Sequence, residues 1–409
     1  MATVFFTMAM ADGKFTRGIG QYPGRPDDYK GPEMVKDDVY RNLACNRAAY
    51  ASSSFDYNLT AQLATDGIVS TTEPARLTVS TPEGVLSLRD KEKTIDGNVV
   101  TSGYVMGEKT FMQFDWTGMQ VQVDQIRLVG EVAYQAAAAK KGYAIRVMGS
   151  ADGRRWQVIG QMAGKGLPGT ATQQLVSSDP NKQEATIKLP MRRIDSVIKL
   201  DRPGKYSHIR LDFTMAGCAW WRLYELGDDW MPSSHFSSAY AVAPGANGDK
   251  PWIYVDLGTE ASVDHVRLHW IHKANKGEIQ FSDDARQWRT VATLPGGNAT
   301  SEQVACPGKA RYVRLTMAEP DKGGLFVLSE MEVWGKGGLA PRLREEGDIS
   351  RWELRRDGDS RWIPATVPGT VLTSYMNIGA VPDNRYSNNM RQISESFFMS
   401  DFWYRAHIN

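Results

Sequence analysis

Cysteine is scarce in this sequence. Only Cys45, Cys218 and Cys306 occur among 409 residues, and they are widely spaced. They form neither the disulfide framework of a small secreted domain nor the C-x-x-C spacing of a zinc knuckle. We therefore interpret all three as small buried hydrophobic side chains. Long apolar runs are missing too, since none approaches the roughly 18 residues that a membrane-spanning helix needs. The sequence thus predicts no membrane span.

An excess of either charge is also absent. The chain has 48 Lys and Arg against 47 Asp and Glu, a net charge of +1, and no dense basic run. Nucleic-acid binding depends on clustered positive charge, so we expect no nucleic-acid partner. Aromatic residues and glycine, in contrast, are plentiful, with 12 Trp, 16 Tyr and 38 Gly. Because long helical patterns are few, this composition favours β-sandwiches with many turns.

One sequence pattern occurs twice. An alternating strand leads into Ser-x-Asp-x-Arg-x-Trp at Ser150–Trp156 and again at Ser282–Trp288. The flanking blocks that also repeat are 114–128 with 255–268, 208–211 with 312–315, and 223–226 with 328–331. Matching blocks in the same order indicate a duplicated domain.

The alternation within the repeats predicts strands rather than helices. In 263–270, Val266, Leu268 and Trp270 share one face, which we expect to pack inward. Turns with Gly and Pro between such strands argue for sandwiches rather than for parallel α/β units. The predicted fold class is therefore all-β, with tandem β-sandwiches.

Composition shifts divide the chain into a series of predicted segments. They are a possible signal-peptide remnant at 1–11, an extended arm at 12–41, a first copy with insertions at 42–229, a compact second copy at 230–338, a linker at 339–347 and a truncated third sandwich at 348–409. The first segment ends in an A-x-A pattern like that of a secretory cleavage site, so we expect a periplasmic or extracellular location. The aromatic stretch 402–405 is predicted to be a strand.

The two copies resemble factor V/VIII type C (discoidin) domains, which overlap carbohydrate-binding module family 32. The resemblance rests on 252–258 (WIYVDLG), on the Ser-x-Asp-x-x-x-Trp turns, on 310–315 and on 328–335. It implies galactose-binding-like jelly-roll sandwiches. The last sandwich along the chain, at 348–409, is expected to be incomplete because the segment has only about 60 residues. The resemblance also implies that loops at one end bind sugars, so a glycan or oligosaccharide is the expected partner.

The same resemblance implies a structural calcium ion beside the first loop. Calcium takes several hard oxygen ligands, including carboxylates. The resemblance assigns this role to Asp66, Thr71 and Glu225 of the predicted first copy. The alternative is that Asp66 and Gly67 only form a turn and that Glu225 is a surface charge at a strand end.

Sugar binding needs an exposed aromatic ring that stacks on a pyranose face, with polar groups nearby. The candidates are Trp220, Arg222, Tyr240, Trp270 and His272. The alternative for each aromatic ring is packing in a core, which is favoured for Trp270 because it shares the inward face. Trp156 and Trp288 recur at the same turn in both copies, which also favours packing.

The third segment resembles the N-terminal sugar-binding-like domain of glycoside hydrolase family 2, in the β-mannosidase and exo-β-glucosaminidase branch found in Bacteroidetes. The matching motifs are 367–372, 379–383, 386–389 and 402–405. That family uses two carboxylates on a following (β/α)₈ barrel, with the acid/base in an Asn-Glu dipeptide. No Asn-Glu occurs in this sequence. We therefore predict no catalytic residue here and expect a downstream catalytic barrel as partner.

The preferred hypothesis is the non-catalytic N-terminal part of a secreted, retaining family 2 β-glycosidase. Its sandwiches would bind glycan or brace the enzyme. Two alternatives stay open. In the first, the chain is a stand-alone glycan-binding or adhesion protein. In the second, its sandwiches are purely structural spacers.

Overall fold

The computed structural model describes residues 31–95, 98–99, 104–134, 140–176, 187–227, 239–245, 248–321, 324–342, 352–398 and 400–406. The predicted signal-peptide remnant, most of the arm, the first residues of the predicted second copy and residues 343–347 of the linker lie outside this set. The chain divides into two compact units. One comprises Met1–Pro74 with Ser234–Asn409, and the other comprises Ala75–Ser233.

The described residues are mostly in strands, with a few short helices. Before residue 75 the strands are β1 (Glu33–Lys36), β2 (Arg41–Asn42) and β3 (Ala49–Ala51), followed by a 3₁₀ helix, Ala61–Ala64. The second unit has β4 (Arg76–Thr81), β5 (Gly84–Val85), α1 (Leu88–Lys93), β6 (Tyr104–Met106), β7 (Lys109–Thr117), β8 (Val121–Tyr134), β9 (Tyr143–Ser150), β10 (Gln157–Gly164), β11 (Thr170–Val176), β12 (Ile187–Tyr206), β13 (His208–Met215) and β14 (Cys218–Gly227). Then come β15 (Tyr240–Val242), β16 (Trp252–His272), β17 (Ala274–Ser282), β18 (Arg289–Thr293), β19 (Ser301–Pro320), β20 (Phe326–Gly337) and β21 (Leu339–Arg342). The last elements are β22 (Trp352–Arg356), β23 (Ile363–Pro364), α2 (Val371–Asn377), a 3₁₀ helix, Ser387–Gln392, α3 (Glu395–Phe398) and β24 (Phe402–Ala406).

The first unit contains a β-sandwich, here called the outer sandwich, formed by β2, β3 and β15 to β20. One layer has β3, the start of β16, the end of β19, β17 and β18 side by side, all antiparallel. The other layer has the start of β19, the end of β16, β20 and β15. β16 and β19 serve both layers because register shifts between Asp256 and His265 let the long strands bend around the core. The core contains Val255, Leu268 and Phe281, all fully buried.

The predicted domain boundaries need one correction. The sequence assigns 42–74 to the first copy, but Ala49–Ala51 pair with Ile253–Val255 of β16, in the second copy. The first copy has its own edge strand, β4, which pairs with β7 as β3 pairs with β16. The first copy therefore begins at β4, and it is inserted into the chain of the second.

The arm and the linker also contain structure. Within the predicted arm, Glu33–Lys36 form β1, which pairs antiparallel with β21 at the start of the predicted linker. These two strands join segments that the sequence places at opposite ends of the sandwich repeats, and backbone hydrogen bonds hold them together.

The inserted sandwich comprises β4 to β14. One sheet has the order β5-β4-β7-β13-β9-β10, and the other has β11 and then β12-β8-β14-β6. Between them lie apolar side chains that alternate along the strands, including Phe114, Ile126, Val147 and Leu211. The predicted fold class, all-β with galactose-binding-like sandwiches, is confirmed.

The repeated turn is the same in both sandwiches. In each, the serine Oγ accepts the backbone N–H three residues on at 3.0 Å, and the aspartate Oδ1 accepts two backbone N–H groups at 2.8–2.9 Å. The two pairs are Ser150 with Asp152 and Ser282 with Asp284. These backbone bonds lower the pKa of both aspartates. The repeated sequence pattern thus forms the same turn in both sandwiches, with matching hydrogen bonds.

We expect Ala285→Gly to stabilise the outer sandwich. Ala285 has φ +57°, and the same turn position in the inserted sandwich is Gly153, with φ +68°. A left-handed backbone costs a residue with a Cβ about 1–2 kcal/mol, partly offset by the greater entropy of glycine in the unfolded chain, so the net gain is at most about 1 kcal/mol. Chemical denaturation measures it. Gly153→Ala is the matched control and should destabilise, because its Cβ would lie 3.1 Å from Nε2 of His208. Lower stability of the Ala285→Gly variant would contradict this reading of the turn.

The last described segment, residues 352–406, is here called the C-terminal module. Its sheet has the order β23-β22-β24, so the predicted strand at 402–405 is confirmed. Leu354, Tyr375 and Phe397 pack with Leu59 and Val327 of the outer sandwich in one buried cluster. The module and the outer sandwich therefore share a hydrophobic core. Among the described residues, none of the helices has the length and apolar character to cross a membrane.

Candidate functional site

Three aromatic rings stack on the outer face of the outer sandwich. Alternation along β16 buries Ile253 and Val255 in the core and places Trp252 and Tyr254 on the opposite face. The Tyr254 ring stacks on that of Tyr50 with centroids 5.0 Å apart, and on that of Trp252 at 5.5 Å. We call Tyr50, Tyr254 and Trp252 the aromatic column.

Further rings enclose the middle of the column. Trp288 lies 5.3 Å from the Tyr254 ring, and Tyr312 meets it edge-on at 5.9 Å. The Arg314 guanidinium covers Trp288 at 4.1 Å from its ring centroid. Burial among these groups raises the pKa of Tyr254 to about 12. Tyr254 is thus surrounded, whereas Trp252 stands at the end of the column.

A polar groove of about 540 Å³ adjoins Trp252. It is lined by Ser52, Ser53, Ala243, Pro244, Gly245, Asp249, Lys250, Pro251 and Trp252. Two hydrogen bonds fix the position of Trp252, because its backbone N–H donates to Ser52 Oγ at 3.1 Å and its carbonyl accepts the Ser52 N–H at 2.9 Å. The groove thus combines an aromatic wall with hydroxyl, carboxylate and ammonium groups.

Two of the predicted sugar-binding residues are core residues. Tyr240 is completely buried, and its hydroxyl donates to the Ser53 carbonyl at 2.8 Å. Trp270 is also buried, and its Nε1 donates to Glu302 Oε1 at 2.8 Å. Neither ring presents a face to solvent, so the prediction is wrong for both, and the core alternative is right for Trp270.

The predicted ligand residue His272 is held by acidic side chains. Its Nε2 lies 2.7 Å from a Glu73 carboxylate oxygen, and its Nδ1 lies 3.3 Å from one of Asp321. Because both ring nitrogens are engaged, a hydrogen bond to a sugar hydroxyl would have to displace one of these carboxylates. The structure therefore argues against the predicted role.

Trp220 and Arg222 lie together on β14 of the inserted sandwich. Both are half-buried on one face of the strand, while Trp221 between them is completely buried. The Arg222 guanidinium lies 5.6 Å from the Trp220 ring centroid. Sugar binding at this pair stays a prediction.

The three predicted calcium ligands do not belong to one domain. Asp66 and exposed Thr71 are part of the first unit, whereas Glu225 is part of the second. In the outer sandwich the repeat position that matches Glu225 is Glu330, whose Oε1 accepts the N–H of Gly67 at 3.1 Å. The prediction pairs the loop with the wrong copy, because the sequence does not show that residues 41–74 fold with β16.

The residues beside Asp66 do not fit a calcium ion. Asp66 and Glu330 are 5% and 1% exposed, but Arg356 donates to Asp66 Oδ2 at 3.3 Å, and Arg361 donates to the Asp66 carbonyl. Calcium requires six to eight oxygen ligands. Across the part of the chain that the structure describes, no group of three His, Cys, Asp or Glu residues could hold a metal. Guanidinium groups occupy the space beside these carboxylates.

Burial dominates the acid–base behaviour of this cluster. It raises the pKa of Asp66 to about 7, although Arg356 opposes the shift. It raises the pKa of Glu330 well above the usual range, and the nearby Asp66 charge adds to the effect. The neighbouring Cys45 thiol, also in contact with Arg361, has its pKa raised by burial to about 12. Cys45 is thus a free, half-buried thiol, while Cys218 and Cys306 are free and buried as predicted.

Comparison with known proteins identifies the outer sandwich. Residues 236–315 match the family model described as F5/8 type C, NedA-like, galactose-binding domain. The outer sandwich therefore carries a domain of the galactose-binding, F5/8 type C kind. No match is found among curated proteins.

Several solved structures are similar to part of the chain. Chitosan-binding module 1 of a chitosanase/glucanase from Paenibacillus sp. IK-5 is 32% identical, with 24% of this chain and 75% of that chain covered and a TM-score of 0.22. Module 2 of that enzyme, in complex with chitotriose, is 29% identical, with 24% and 77% covered and a TM-score of 0.22. A family 32 module from Clostridium perfringens, in complex with GalNAc-β-1,3-galactose, is 18% identical, with 24% and 75% covered and a TM-score of 0.21.

Proposed function

We propose that the outer sandwich binds an oligosaccharide in the groove beside Trp252. The observation that carries this proposal is the position of Trp252. One side of its ring is supported by Tyr254, and the same side chain lines an open polar groove. Sugar rings stack on aromatic faces while polar groups bind their hydroxyls, and both elements are present here.

The column makes Trp252 a rigid platform. Its ring is fixed by stacking in the column, and its backbone is fixed by Ser52, so little side-chain entropy is lost on binding. Asp249 and Lys250 are exposed on the groove wall, where their charged groups can reach hydroxyl, amide or amino groups of a sugar. Lys250 Nζ also lies 3.5 Å from Glu278 Oε1, a long and solvent-exposed contact that a ligand can replace. The groove therefore suits a neutral or amino sugar.

The test is the substitution Trp252→Ala. We expect it to weaken oligosaccharide binding about 10- to 100-fold, because the stacking surface is lost. Isothermal titration with chitotriose and with GalNAc-β-1,3-galactose measures the change, and melting curves establish that the variant is folded. These probes are the sugars bound to the similar modules.

Trp220→Ala in the inserted sandwich is the control. It should leave the affinity unchanged, and a loss in this variant alone would move the binding site to the Trp220–Arg222 pair. If a broad glycan array shows no binding by the native chain, the spacer alternative replaces the proposal.

We further propose that the chain is an accessory, non-catalytic part of a secreted glycoside hydrolase of family 2, of the retaining β-glycosidase kind. The motif resemblance of 367–372 supports this role. Within this motif, Thr370 Oγ1 accepts the Thr373 N–H at 3.0 Å and caps α2. In this proposal the inserted sandwich is a second F5/8 type C domain, a catalytic barrel follows in the chain, and the location is periplasmic or extracellular. The stand-alone adhesion protein is the alternative.

The catalytic part of the proposal has a direct test. Because no residue here is assigned a catalytic role, we expect the purified chain to leave aryl β-glycosides uncleaved. Release of nitrophenol is followed by absorbance over many hours. Saturable turnover that co-purifies with the chain would contradict the accessory role, whatever the outcome of the binding experiments.

A further inference from the structure

A buried cluster of charges joins the C-terminal module to the outer sandwich. Its members are Asp66 and Glu330 of the sandwich and Arg356, Asp359 and Arg361 of the module. We infer that Arg356 and Arg361 take the place of the calcium ion that the family resemblance implies beside Asp66, and that they thereby fasten the module to the sandwich. The two guanidinium groups would then supply the positive charge that a bound metal ion would otherwise supply beside Asp66.

Arg356 supplies the first part of the observation. Its side chain is 2% exposed, and that of its partner Asp66 is 3% exposed, with 3.3 Å between Nη1 of Arg356 and Oδ2 of Asp66. Its Nε donates to Ser400 Oγ at 3.0 Å, and its guanidinium lies 4.3 Å from the Phe397 ring centroid. A guanidinium this deeply buried requires a negative partner, and Asp66 is that partner.

Arg361 enters the same loop from its other side. Asp359 orients the guanidinium, since both carboxylate oxygens accept from it at 3.0 Å. The guanidinium contacts the carbonyl oxygen of Asp66 and Sγ of Cys45. Gly67 leaves the necessary space, because a Cβ built at this residue would overlap the Arg361 guanidinium. The loop thus forms a cradle around an arginine.

The oxygens that a calcium ion would need are already used. Carboxylate and backbone carbonyl oxygens are typical calcium ligands. Here Arg356 occupies Oδ2 of Asp66, the Ile68 N–H occupies Oδ1 at 2.9 Å, and Arg361 occupies the carbonyl. Within the described residues only Glu330 Oε2 is buried in this cluster without a hydrogen-bond partner. One free carboxylate oxygen is too few to bind calcium.

The experiment is thermal unfolding of the full chain in excess EDTA and in excess CaCl₂. We expect the same melting temperature in both, and no heat of calcium binding in isothermal titration. Arg356→Met should lower the melting temperature by about 10 °C, because Asp66 is left buried without its partner. Asp66→Asn combined with Arg356→Met should recover much of this loss, since neither charge then remains.

Arg355→Met is the matched control. Arg355 precedes Arg356 on β22, but it is half-buried and lies over the ring of Trp362, 5.2 Å from its centroid, so a much smaller loss is expected. Gly67→Ala should also lower the melting temperature without changing any charge, because its Cβ would overlap the Arg361 guanidinium and because Gly67 has φ +77°. A calcium-dependent rise of the melting temperature, or an unchanged temperature for both Arg356→Met and Gly67→Ala, would overturn the inference. Neither result depends on whether the sandwich binds sugar.

Discussion

Replacing Lys273 by methionine is expected to destabilise the first unit by about 3–5 kcal/mol, because it leaves a buried carboxylate without its partner. The side chains of Lys273 and Glu302 are 6% and 4% exposed, and Nζ lies 2.7 Å from Oε2. In this environment the Glu302 charge cannot be compensated by water. The methionine retains most of the volume of the lysine stem, so the effect reports the charge.

The other hydrogen bonds of this pair explain its strength. Lys273 Nζ also donates to the carbonyl oxygens of Gly296 and Ala299, both at 3.3 Å. Glu302 Oε1 accepts Nε1 of Trp270 at 2.8 Å. The Lys273 ammonium and both Glu302 carboxylate oxygens therefore have hydrogen-bond partners within the protein. Trp270 has a structural role here, as a donor to Glu302. Removing the lysine leaves the buried Oε2 of Glu302 without this partner, whereas the carbonyls of Gly296 and Ala299 belong to more exposed residues that water can reach.

The matched control is Lys276→Met. Lys276 forms an ion pair with Glu319 at the same 2.7 Å, but the two side chains are 71% and 56% exposed. Exposed pairs contribute no more than about 1 kcal/mol, so the loss should be small. Chemical denaturation of both variants, and of Lys273→Met with Glu302→Leu, measures the difference. Equal losses for Lys273→Met and Lys276→Met would show that burial does not matter here, and no recovery in the double variant would argue against an uncompensated charge.

The second large effect concerns pH. Burial raises the pKa of Glu330 in the folded chain well above its ordinary value of 4.5. The folded state then binds more protons than the unfolded state between these two pKa values. The stability that the neutral Glu330 provides is complete below about pH 4.5 and is lost as pH rises toward the folded pKa. The free energy of unfolding should therefore fall by up to about 1.4 kcal/mol per pH unit above pH 4.5.

Glu330→Gln isolates this effect, because glutamine keeps the shape and the acceptor for the Gly67 N–H but cannot ionise. We expect the variant to be more stable than the native chain at pH 7 and to have a flatter pH dependence between pH 5 and 8. Denaturant titrations at several pH values give the difference between the two proteins. Parallel curves would mean that Glu330 does not titrate in this range. Asp66, with its pKa raised to about 7, adds a contribution of the same sign that both proteins share.

Local patterns predict the strands well. Alternation at 263–270 places Val266, Leu268 and Trp270 on one face, and all three are buried. Asp264 has the same parity but is exposed, because a register shift between Val263 and His265 changes the alternation there. The repeated serine–aspartate turn is recognisable from its residues alone, since its hydrogen bonds lie within a few positions of each other. Such features depend only on neighbours in the chain.

Pairing between distant segments is not visible in the same way. The internal repeat aligns the two copies, but it does not show to which copy each edge strand belongs. The sequence therefore assigns Ala49–Ala51 to the wrong copy. This one error also mispairs Asp66 with Glu225 instead of Glu330. Arg356 and Arg361 carry no sequence signal of their role, because their partner Asp66 lies 290 and 295 residues away in the chain.

The aromatic column had a signal that is easy to misread. Trp252 and Tyr254 alternate with Ile253 and Val255, which indicates two different faces of one strand. Large aromatic rings are most often buried, so neither face is obviously the outer one. The pairing of β16 with β3 decides the question, because it places Tyr50 beside Tyr254 on the solvent side. Residues 252–258 thus carry the family motif in the sequence, and Trp252 and Tyr254 of this stretch lie on the outer face of the sandwich in the structure.

The insertion of one sandwich into the other sets an order of folding during synthesis. A nascent chain leaves the ribosome from its N-terminus, so β4 to β14 emerge as one uninterrupted set and can form their sheets at once. β2 and β3 have no partners until β16 and β20 emerge much later. The segment with Tyr50 and Asp66 is therefore synthesised before the strands that it pairs with, and the inserted sandwich can fold in the meantime. The groove and the arginine cradle are completed last.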